Sequence, residues 1–271
     1  MRIFLTLLSV LLFGAPAVQA QEEPKSDTSA VLDLFNQHAQ FSLPRLDKKQ
    51  LRQLAKGDIV KFREVPEDAD EPQRVVGLLR SSQPRDLLWL ALRDLHWSAA
   101  KELTEVLLSG HEVWPRIWYQ HLDAPRPLAD RHWVLRIMDS WELEEATSGA
   151  CWEHWWEIHP DGQRLAAEAL ESGRIPGQDR ASTEKAVFVP VNDGAWMICT
   201  LPGGDSLLGY HVRFVAGGRI PDRIIVDYGM ATLGRILRKV EKRAEEVPSH
   251  YRGKHYLIPG GDGEDLKLYR D

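Results

Sequence analysis

The sequence predicts an α+β fold in which a series of antiparallel strands packs against a long C-terminal helix. Apolar and polar residues alternate along most of 113–218, which is typical of half-buried strands. A helical pattern then runs without interruption over 221–247, with Pro221 at its start. The mature chain of about 250 residues has the length of one large domain or two small ones.

The first twenty residues are typical of a secretory signal peptide. Arg2 supplies a positive start, residues 3–13 are almost entirely apolar, and Val18 and Ala20 are the small residues that signal peptidase accepts. The apolar run is too short for a stable membrane span. We therefore expect residues 1–20 to be cleaved and the mature protein to be periplasmic or secreted. An uncleaved N-terminal anchor is the alternative.

The segment 21–54 is predicted to be a helical linker that precedes the main domain. Helical apolar spacing covers 30–41, and a second short helix over 46–58 ends at Gly57. Extended patterns at 58–65 and 74–81 then predict a hairpin with a long acidic loop. Two helices follow at 84–95 and 98–110, the second with Gly110 as its stop.

The central strands follow one another closely along the chain. They are predicted over 113–124, 131–143, 151–159, 187–201 and 206–218. Asn192-Asp193-Gly194 indicates a tight hairpin that divides the fourth run, because such turns need positive φ. Residues 160–185, with a short helix at 163–172, form an insertion that acts as a lid or only decorates the sheet.

Two segments carry a family resemblance. APRPLADRHWVLR (124–136) resembles the proline-rich turn and Arg-aromatic strand of the START family, the lipid-transfer domains related to the steroidogenic acute regulatory protein. GGRIPDRIIVDYGMATLGRILRKVEKR (217–243) resembles that family's glycine, Ile/Leu-Pro and C-terminal helix. The order of elements is similar as well. The resemblance covers 55–247, leaves 248–271 as a loosely ordered tail, and indicates an exported bacterial member.

The resemblance implies a START-like helix-grip fold, in which a curved antiparallel sheet wraps around the C-terminal helix. A tunnel between them holds sterols, phospholipids or ceramides in related proteins, and serves aromatase/cyclase chemistry in more distant ones. Sterol-binding members carry a buried acid–arginine pair. Asp139 and Arg136 are the candidates here, but strand parity places them on opposite faces.

The stretch CWEHWWEIH (151–159) predicts one wall of that tunnel. Alternation places Trp152, His154, Trp156 and Ile158 on one face. Ten tryptophans exceed what packing requires and suit a cavity for an apolar ligand with a polar end. Those expected on strands are Trp118, Trp133, Trp141, Trp152, Trp156 and Trp196. The candidate wall residues are Trp133, Leu135, Ile137, Trp152, His154, Trp156, Trp196, Tyr210, Phe214, Ile224 and Tyr228.

Metal and nucleophile chemistry find little support in the sequence. Glu153, Glu157 and His159 share a strand face, but such a set spreads over about 20 Å along the strand. Neither HExxH nor GxSxG is present. We therefore expect no catalytic residue, no metal and no cofactor.

Cys151 and Cys199 are expected to be free buried thiols, because a hairpin at 192–194 would place them two strands apart.

The predicted function is binding, with transport as a further step, of a lipid or other hydrophobic small molecule. A cyclase/aromatase enzyme with His154, Asp139 or Tyr228 as the titrating group is one alternative. A non-enzymatic envelope protein that binds a partner is the other. We expect a monomer, with transient membrane contact through the basic end of the last helix. The net charge of -6 argues against nucleic acid.

Overall fold

The computed structural model describes residues 27–68, 71–93, 103–110, 114–251, 258–264 and 266. The predicted signal peptide lies outside these residues. Within the described ranges, no helix is both long enough and apolar enough to cross a membrane.

Seven helices and nine strands make up the described part of the chain. The helices are α1 (Asp27–His38), α2 (Lys48–Ala55), α3 (Arg85–Arg93), α4 (Trp141–Ala146), α5 (Gly162–Glu171), α6 (Arg180–Thr183) and α7 (Asp222–His250). The strands are β1 (Val60–Glu64), β2 (Arg74–Ser81), β3 (Leu103–Ser109), β4 (Arg116–Leu122), β5 (Arg131–Asp139), β6 (Cys151–Ile158), β7 (Val187–Phe188), β8 (Val191–Thr200) and β9 (Ser206–Val215).

A single sheet organises the molecule. Its strand order is β1-β2-β9-β8-β6-β5-β4-β3, all antiparallel, and β7 adds to β5 in parallel. Helix α7 packs on one face against β2 and β9, and α3 packs beside it. This topology confirms the predicted START-like helix-grip fold: one antiparallel sheet with the long C-terminal helix held against it.

The side of α7 that faces the sheet differs from the predicted one. The buried residues are Val226, Leu233, Leu237, Val240, Ala244 and Val247. Ile224 and Tyr228, predicted to face inward, are 58% and 68% exposed. Gly77 on β2 helps to set this contact, because a Cβ there would lie 2.6 Å from Leu233 Cγ. The glycine therefore lets the helix approach the strand closely.

The opposite face of the sheet is also covered. Helices α1, α2 and α4 surround one cluster there, to which Leu32, Phe35 and Leu143 belong. Helix α5 of the 160–185 insertion packs against Tyr119 and Val134 in another cluster. Since Val134 points away from the face that α7 covers, α5 packs on the opposite face of the sheet. The insertion is therefore no lid over a cavity beneath α7.

Three predicted elements were wrong. Residues 103–109 of the expected helix 98–110 form strand β3 on the sheet edge, because pairing with β4 outweighs an apolar spacing that also suits a helix. Strand β5 ends at Asp139, so Trp141 and Leu143 lie on α4. Residues 192–194 continue β8 without a turn.

The close approach of neighbouring strands explains why residue 194, which suggested a turn, is a glycine. Gly194 pairs with Trp156 on one side and with Val212 on the other. A Cβ at Gly194 would lie 2.3 Å from the His211 carbonyl oxygen and 2.8 Å from the Trp156 ring. The residue is therefore needed for contact between extended strands rather than for positive φ.

The expected free thiols were also wrong, because Cys151 and Cys199 form a disulfide. Without a turn at 192–194, β6 pairs with 194–199 instead of 186–191, and Cys151 lies directly opposite Cys199. Their Cα atoms are 4.0 Å apart. The register of one strand pair thus decides the state of both cysteines.

Part of the predicted loose tail is ordered. Residues 248–250 complete α7, and the Pro259 carbonyl accepts a hydrogen bond from the Trp89 indole at 2.9 Å. The backbone of Gly260 donates to Glu264. Residues 252–257, 265 and 267–271 lie outside the described residues.

Acid should destabilise the fold through His211. This side chain is 1% exposed, and neither ring nitrogen has a hydrogen-bond partner in the described part of the chain. Burial, then Arg74 and Arg213, lower its pKa to about 3. Between about pH 6.5 and 3 the unfolded chain therefore binds a proton that the folded chain does not, so stability falls as pH falls through this window. By pH 4.5 the loss is about 2–3 kcal/mol.

Urea unfolding at pH 7 and pH 4.5 tests this prediction. His211→Leu should reduce the difference in unfolding free energy between the two pH values by about 2–3 kcal/mol. The matched control, His38→Leu at the exposed end of α1, should leave that difference unchanged. Burial is the main cause of the raised pKa of Glu153. This raised pKa makes stability rise as pH falls, but it contributes equally in both variants and so does not affect the comparison. Equal acid sensitivity in wild type and His211→Leu would refute the assignment.

Candidate functional site

Two adjoining cavities lie between the sheet and α7. The polar cavity, of about 370 Å³, is lined by Leu92, Arg93, Leu103, Glu105, Arg116, Trp118, Gln120, Leu135, Ile137, His154, Trp156, Asn192, Trp196, Tyr210 and Ile236. The apolar cavity, of about 390 Å³, is lined by Gln73, Val75, Leu122, Asn192, Tyr210, Val212, Phe214, Ile225, Val226, Tyr228, Gly229, Thr232, Leu233 and Ile236. Asn192, Tyr210 and Ile236 belong to both. Each volume lies in the range of small-molecule sites.

The strand registers explain how the walls assemble. Asp139 is opposite His154, His154 is opposite Trp196, and Trp196 is opposite Tyr210, so one row of side chains crosses four strands. The Trp196 and Tyr210 rings are 4.4 Å apart. The Trp156 indole donates to the Asn192 side-chain oxygen at 2.9 Å. These contacts hold large rings in fixed positions along the wall.

A buried charged cluster lies at the polar cavity. Arg93, at the end of α3, donates from Nη1 to Asp139 Oδ1 at 3.1 Å, and their side chains are 6% and 2% exposed. His154 Nδ1 lies 2.6 Å from the same Asp139 oxygen, and Nε2 lies 3.2 Å from Arg93 Nη1. Arg93 Nη1 also lies 2.5 Å from His154 Nδ1, so the guanidinium and the Asp139 carboxylate both approach the same ring nitrogen.

Electrostatics keep His154 neutral. Burial, followed by the charge of Arg93, lowers its pKa to about 4, although Asp139 acts in the opposite direction. Burial also lowers the pKa of Arg93, with Asp139 opposing that shift. A guanidinium keeps its charge in proteins, so the cluster holds one cation, one anion and a neutral imidazole.

Other polar side chains face the same cavity. Gln120 donates to Glu105, whose pKa is raised by burial, and accepts from the Trp133 indole at 2.6 Å. The Arg116 guanidinium lies 4.6 Å from the centre of the Trp114 ring. Burial raises the pKa of Tyr210 to about 12, so its hydroxyl stays protonated near neutral pH. The cavity therefore offers both donors and acceptors to a polar group.

Eight of the eleven predicted wall residues line the cavities. Leu135, Ile137, His154, Trp156, Trp196 and Tyr210 line the polar cavity, and Tyr210, Phe214 and Tyr228 line the apolar cavity. Tyr228 is largely exposed, which places it at the rim.

The other three lie elsewhere. Trp133 is buried against Phe214, with ring centres 6.0 Å apart. Trp152 is 1% exposed and packs between Trp89 and the guanidinium of Arg85. Ile224 is exposed on the outer side of α7, because the helix presents a different side to the sheet.

Sequence reasoning missed the arginine partner of Asp139. Arg136 points to the opposite face and pairs there with Glu157. The actual partner, Arg93, lies one helical turn after Trp89, and i,i+4 spacing places both on one side of α3. The spacing of Arg93 four residues after the apolar Trp89 was the sequence feature that could have indicated an inward-facing arginine. Glu105 was missed because its segment was assigned to a helix, and Asn192 because it was assigned to a turn.

A sheet that holds its C-terminal helix over two adjoining cavities defines the START-like helix-grip class. No family model and no curated protein match the chain. Among solved structures it is similar to human STARD10, at 14% identity and a TM-score of 0.48, over 80% of this chain and 86% of that one. It is similar to a STAR-related lipid transfer protein from Xanthomonas axonopodis, at 18% identity and a TM-score of 0.49, over 69% and 93%.

The Zhui aromatase/cyclase from Streptomyces is similar at 14% identity and a TM-score of 0.39, over 64% of this chain and 93% of that one. All three similarities have identities below 20% and TM-scores below 0.5. The fold assignment therefore depends on the sheet order and helix packing of this chain itself.

Proposed function

We propose that this protein binds a lipid or other hydrophobic small molecule with one polar end in the two cavities beneath α7, and carries it. The observation that supports this proposal is the separation of polar and apolar lining. Arg93, Glu105, Arg116 and His154 all lie at the polar cavity. Val212, Phe214 and Ile225 line the adjoining space. An amphipathic ligand would leave water with its tail against the apolar side chains and its polar end at the charged cluster.

An enzyme of the cyclase/aromatase type is the second candidate, because His154 in the polar cavity is oriented by Asp139. General bases of this kind use a histidine held by a carboxylate. However, a pKa of about 4 makes His154 a weak base near neutral pH. This electrostatic setting favours a binding role. If the protein is an enzyme, His154→Ala should abolish turnover while ligand affinity changes little.

Native mass spectrometry of the mature protein, purified from its own cell envelope, tests the binding proposal. A co-purifying lipid of defined mass, recovered by extraction, would support it and identify the class of ligand. An empty protein that also binds no fluorescent fatty acid, sterol or phospholipid would refute it. Transfer of the recovered lipid between vesicles then tests carriage separately.

Filling the space beneath α7 should weaken binding. Ile236 lines both cavities, so Ile236→Trp places an indole where the ligand would lie. We expect at least tenfold weaker affinity for the recovered lipid, measured by fluorescence titration. Lys239→Trp adds the same ring to the exposed side of α7 and should leave affinity unchanged. Equal affinities of the two variants would place the ligand elsewhere.

We also propose that the protein is exported by its signal peptide to a periplasmic or extracellular location. The disulfide between Cys151 and Cys199 supports this proposal, because such bonds persist mainly in oxidising compartments. N-terminal sequencing of the envelope protein should find a start near Gln21. A start at Met1 in the cytoplasmic fraction would refute the proposal.

A further inference from the structure

A second group of polar side chains lies at the base of the β4–β5 hairpin. His121 is the last residue but one of β4 and pairs with His132 across the hairpin. Asp123 follows β4 and Asp130 precedes β5, so the connecting loop begins and ends with a carboxylate. His121 Nε2 lies 3.4 Å from Asp123 Oδ1 and 3.8 Å from Asp130 Oδ2. The three donor atoms lie within 4.8 Å of one another.

The histidine provides the evidence for a ligand. His121 is 1% exposed, yet its Nε2 has no hydrogen-bond partner among the described residues. A buried polar atom without a partner is costly, so something other than a hydrogen bond should satisfy it. Nε2 faces two carboxylates, and within the described residues neither Asp123 nor Asp130 pairs with a lysine or an arginine.

We propose that His121, Asp123 and Asp130 bind a divalent transition-metal ion of the zinc or manganese class. Bonds of about 2.0–2.2 Å from such an ion to nitrogen and oxygen bring neighbouring donors to separations like those seen here. An imidazole with two carboxylates suits this class, whereas calcium and magnesium prefer sites made only of oxygen. Asp123 and Asp130 are 61% and 41% exposed, so water can complete the coordination.

The surroundings of the three residues suit such a site. The Tyr119 hydroxyl lies 3.4 Å from His121 Nδ1, where an outer-shell partner would orient the ring. The Ala124 backbone donates to Asp130 Oδ1 at 2.9 Å, which leaves Oδ2 towards the histidine. An ion would tie together both ends of the loop next to Leu122, which lines the apolar cavity. It would thereby hold the hairpin at the edge of that cavity.

Isothermal titration of metal-free protein without a histidine tag tests this proposal at pH 7.5. We expect one Zn²⁺ or Mn²⁺ per chain in the wild type, and at least tenfold weaker binding in Asp123→Asn and in Asp130→Asn. Asp58→Asn changes an exposed carboxylate elsewhere and should bind as the wild type does. Circular dichroism confirms that each variant is folded.

Two results would overturn the proposal. Failure of the wild type to bind either ion with one-to-one stoichiometry would mean that these three side chains form no metal site. Unchanged affinity in both Asn variants would place the ion at other side chains. Heteronuclear NMR supplies a direct readout, because coordination should shift the His121 Nε2 resonance and leave that of His38 unchanged.

Discussion

Arg93→Met should lower the free energy of unfolding by about 3–5 kcal/mol, because it leaves Asp139 as a buried charge without its cation. The two side chains are 6% and 2% exposed, so water cannot replace the lost partner. His154 remains beside Asp139, but burial, the largest cause of its lowered pKa, persists in the variant and opposes its protonation. Urea unfolding at pH 7.5 measures the loss.

A second substitution separates loss of charge balance from loss of packing. Asp139→Asn in the Arg93→Met background removes the unpaired charge and keeps an oxygen for His154 Nδ1–H. We expect the double variant to recover at least half of the lost stability. Arg80→Met is the matched control, because its partner Asp205 is 38% exposed and such pairs contribute at most about 1 kcal/mol. Equal losses in Arg93→Met and Arg80→Met would contradict the argument.

Local sequence patterns were sufficient to predict those elements whose conformation depends mainly on their own residues. The alternation of β5 and β6 identified Leu135, Ile137, His154 and Trp156 as neighbours on one face, and all four line the polar cavity. The N-terminal hairpin and helix α5 also form within a few residues of their predicted ranges. Period-two and period-3.6 patterns depend on short stretches of chain and are visible in a single sequence.

Features that depend on pairing between distant segments could not be predicted in this way. Residues 103–109 carry apolar spacing compatible with a helix, and only pairing with β4 makes them a strand. Gly194 is consistent with either a turn or a close strand contact, and the positions of Trp156 and His211 decide between them. An error at this one glycine moved the register of β8 and thereby separated two cysteines that are partners.

The candidate site likewise combines features that local patterns predict with features that depend on contacts between distant segments. Its apolar wall follows from strand parity, but the charged cluster joins α3 to β5 and β6 across 46 and 61 residues of sequence. No local pattern specifies that Arg93 meets Asp139. The exposed position of Ile224 arises similarly, because the rotation of α7 is set where Leu233 meets Gly77.

Cys151→Ala/Cys199→Ala should produce a loss comparable to that of Arg93→Met. The disulfide closes a loop across 48 residues of sequence. In the chain-entropy model, opening a loop of that length costs about 4 kcal/mol, and measured effects of native disulfides are commonly about 2–4 kcal/mol. Urea unfolding of the double variant without reductant measures this loss, and we expect a larger dependence on urea because its unfolded chain is less compact.

Treatment with reductant distinguishes the stability contributed by the disulfide bond from that contributed by the packing of the sulfur atoms. Wild-type protein unfolded and refolded in dithiothreitol should lose most of the stability that the double variant lacks, whereas the same treatment should leave the variant unchanged. If the wild type instead shows two reactive thiols after unfolding without reductant, the bond is not formed in the isolated protein. Because Cys151 and Cys199 are opposite each other in strands β6 and β8, a bond found in the isolated protein would support the strand register as well. The same register places His154 opposite Trp196, so this experiment also tests how the cavity wall is built.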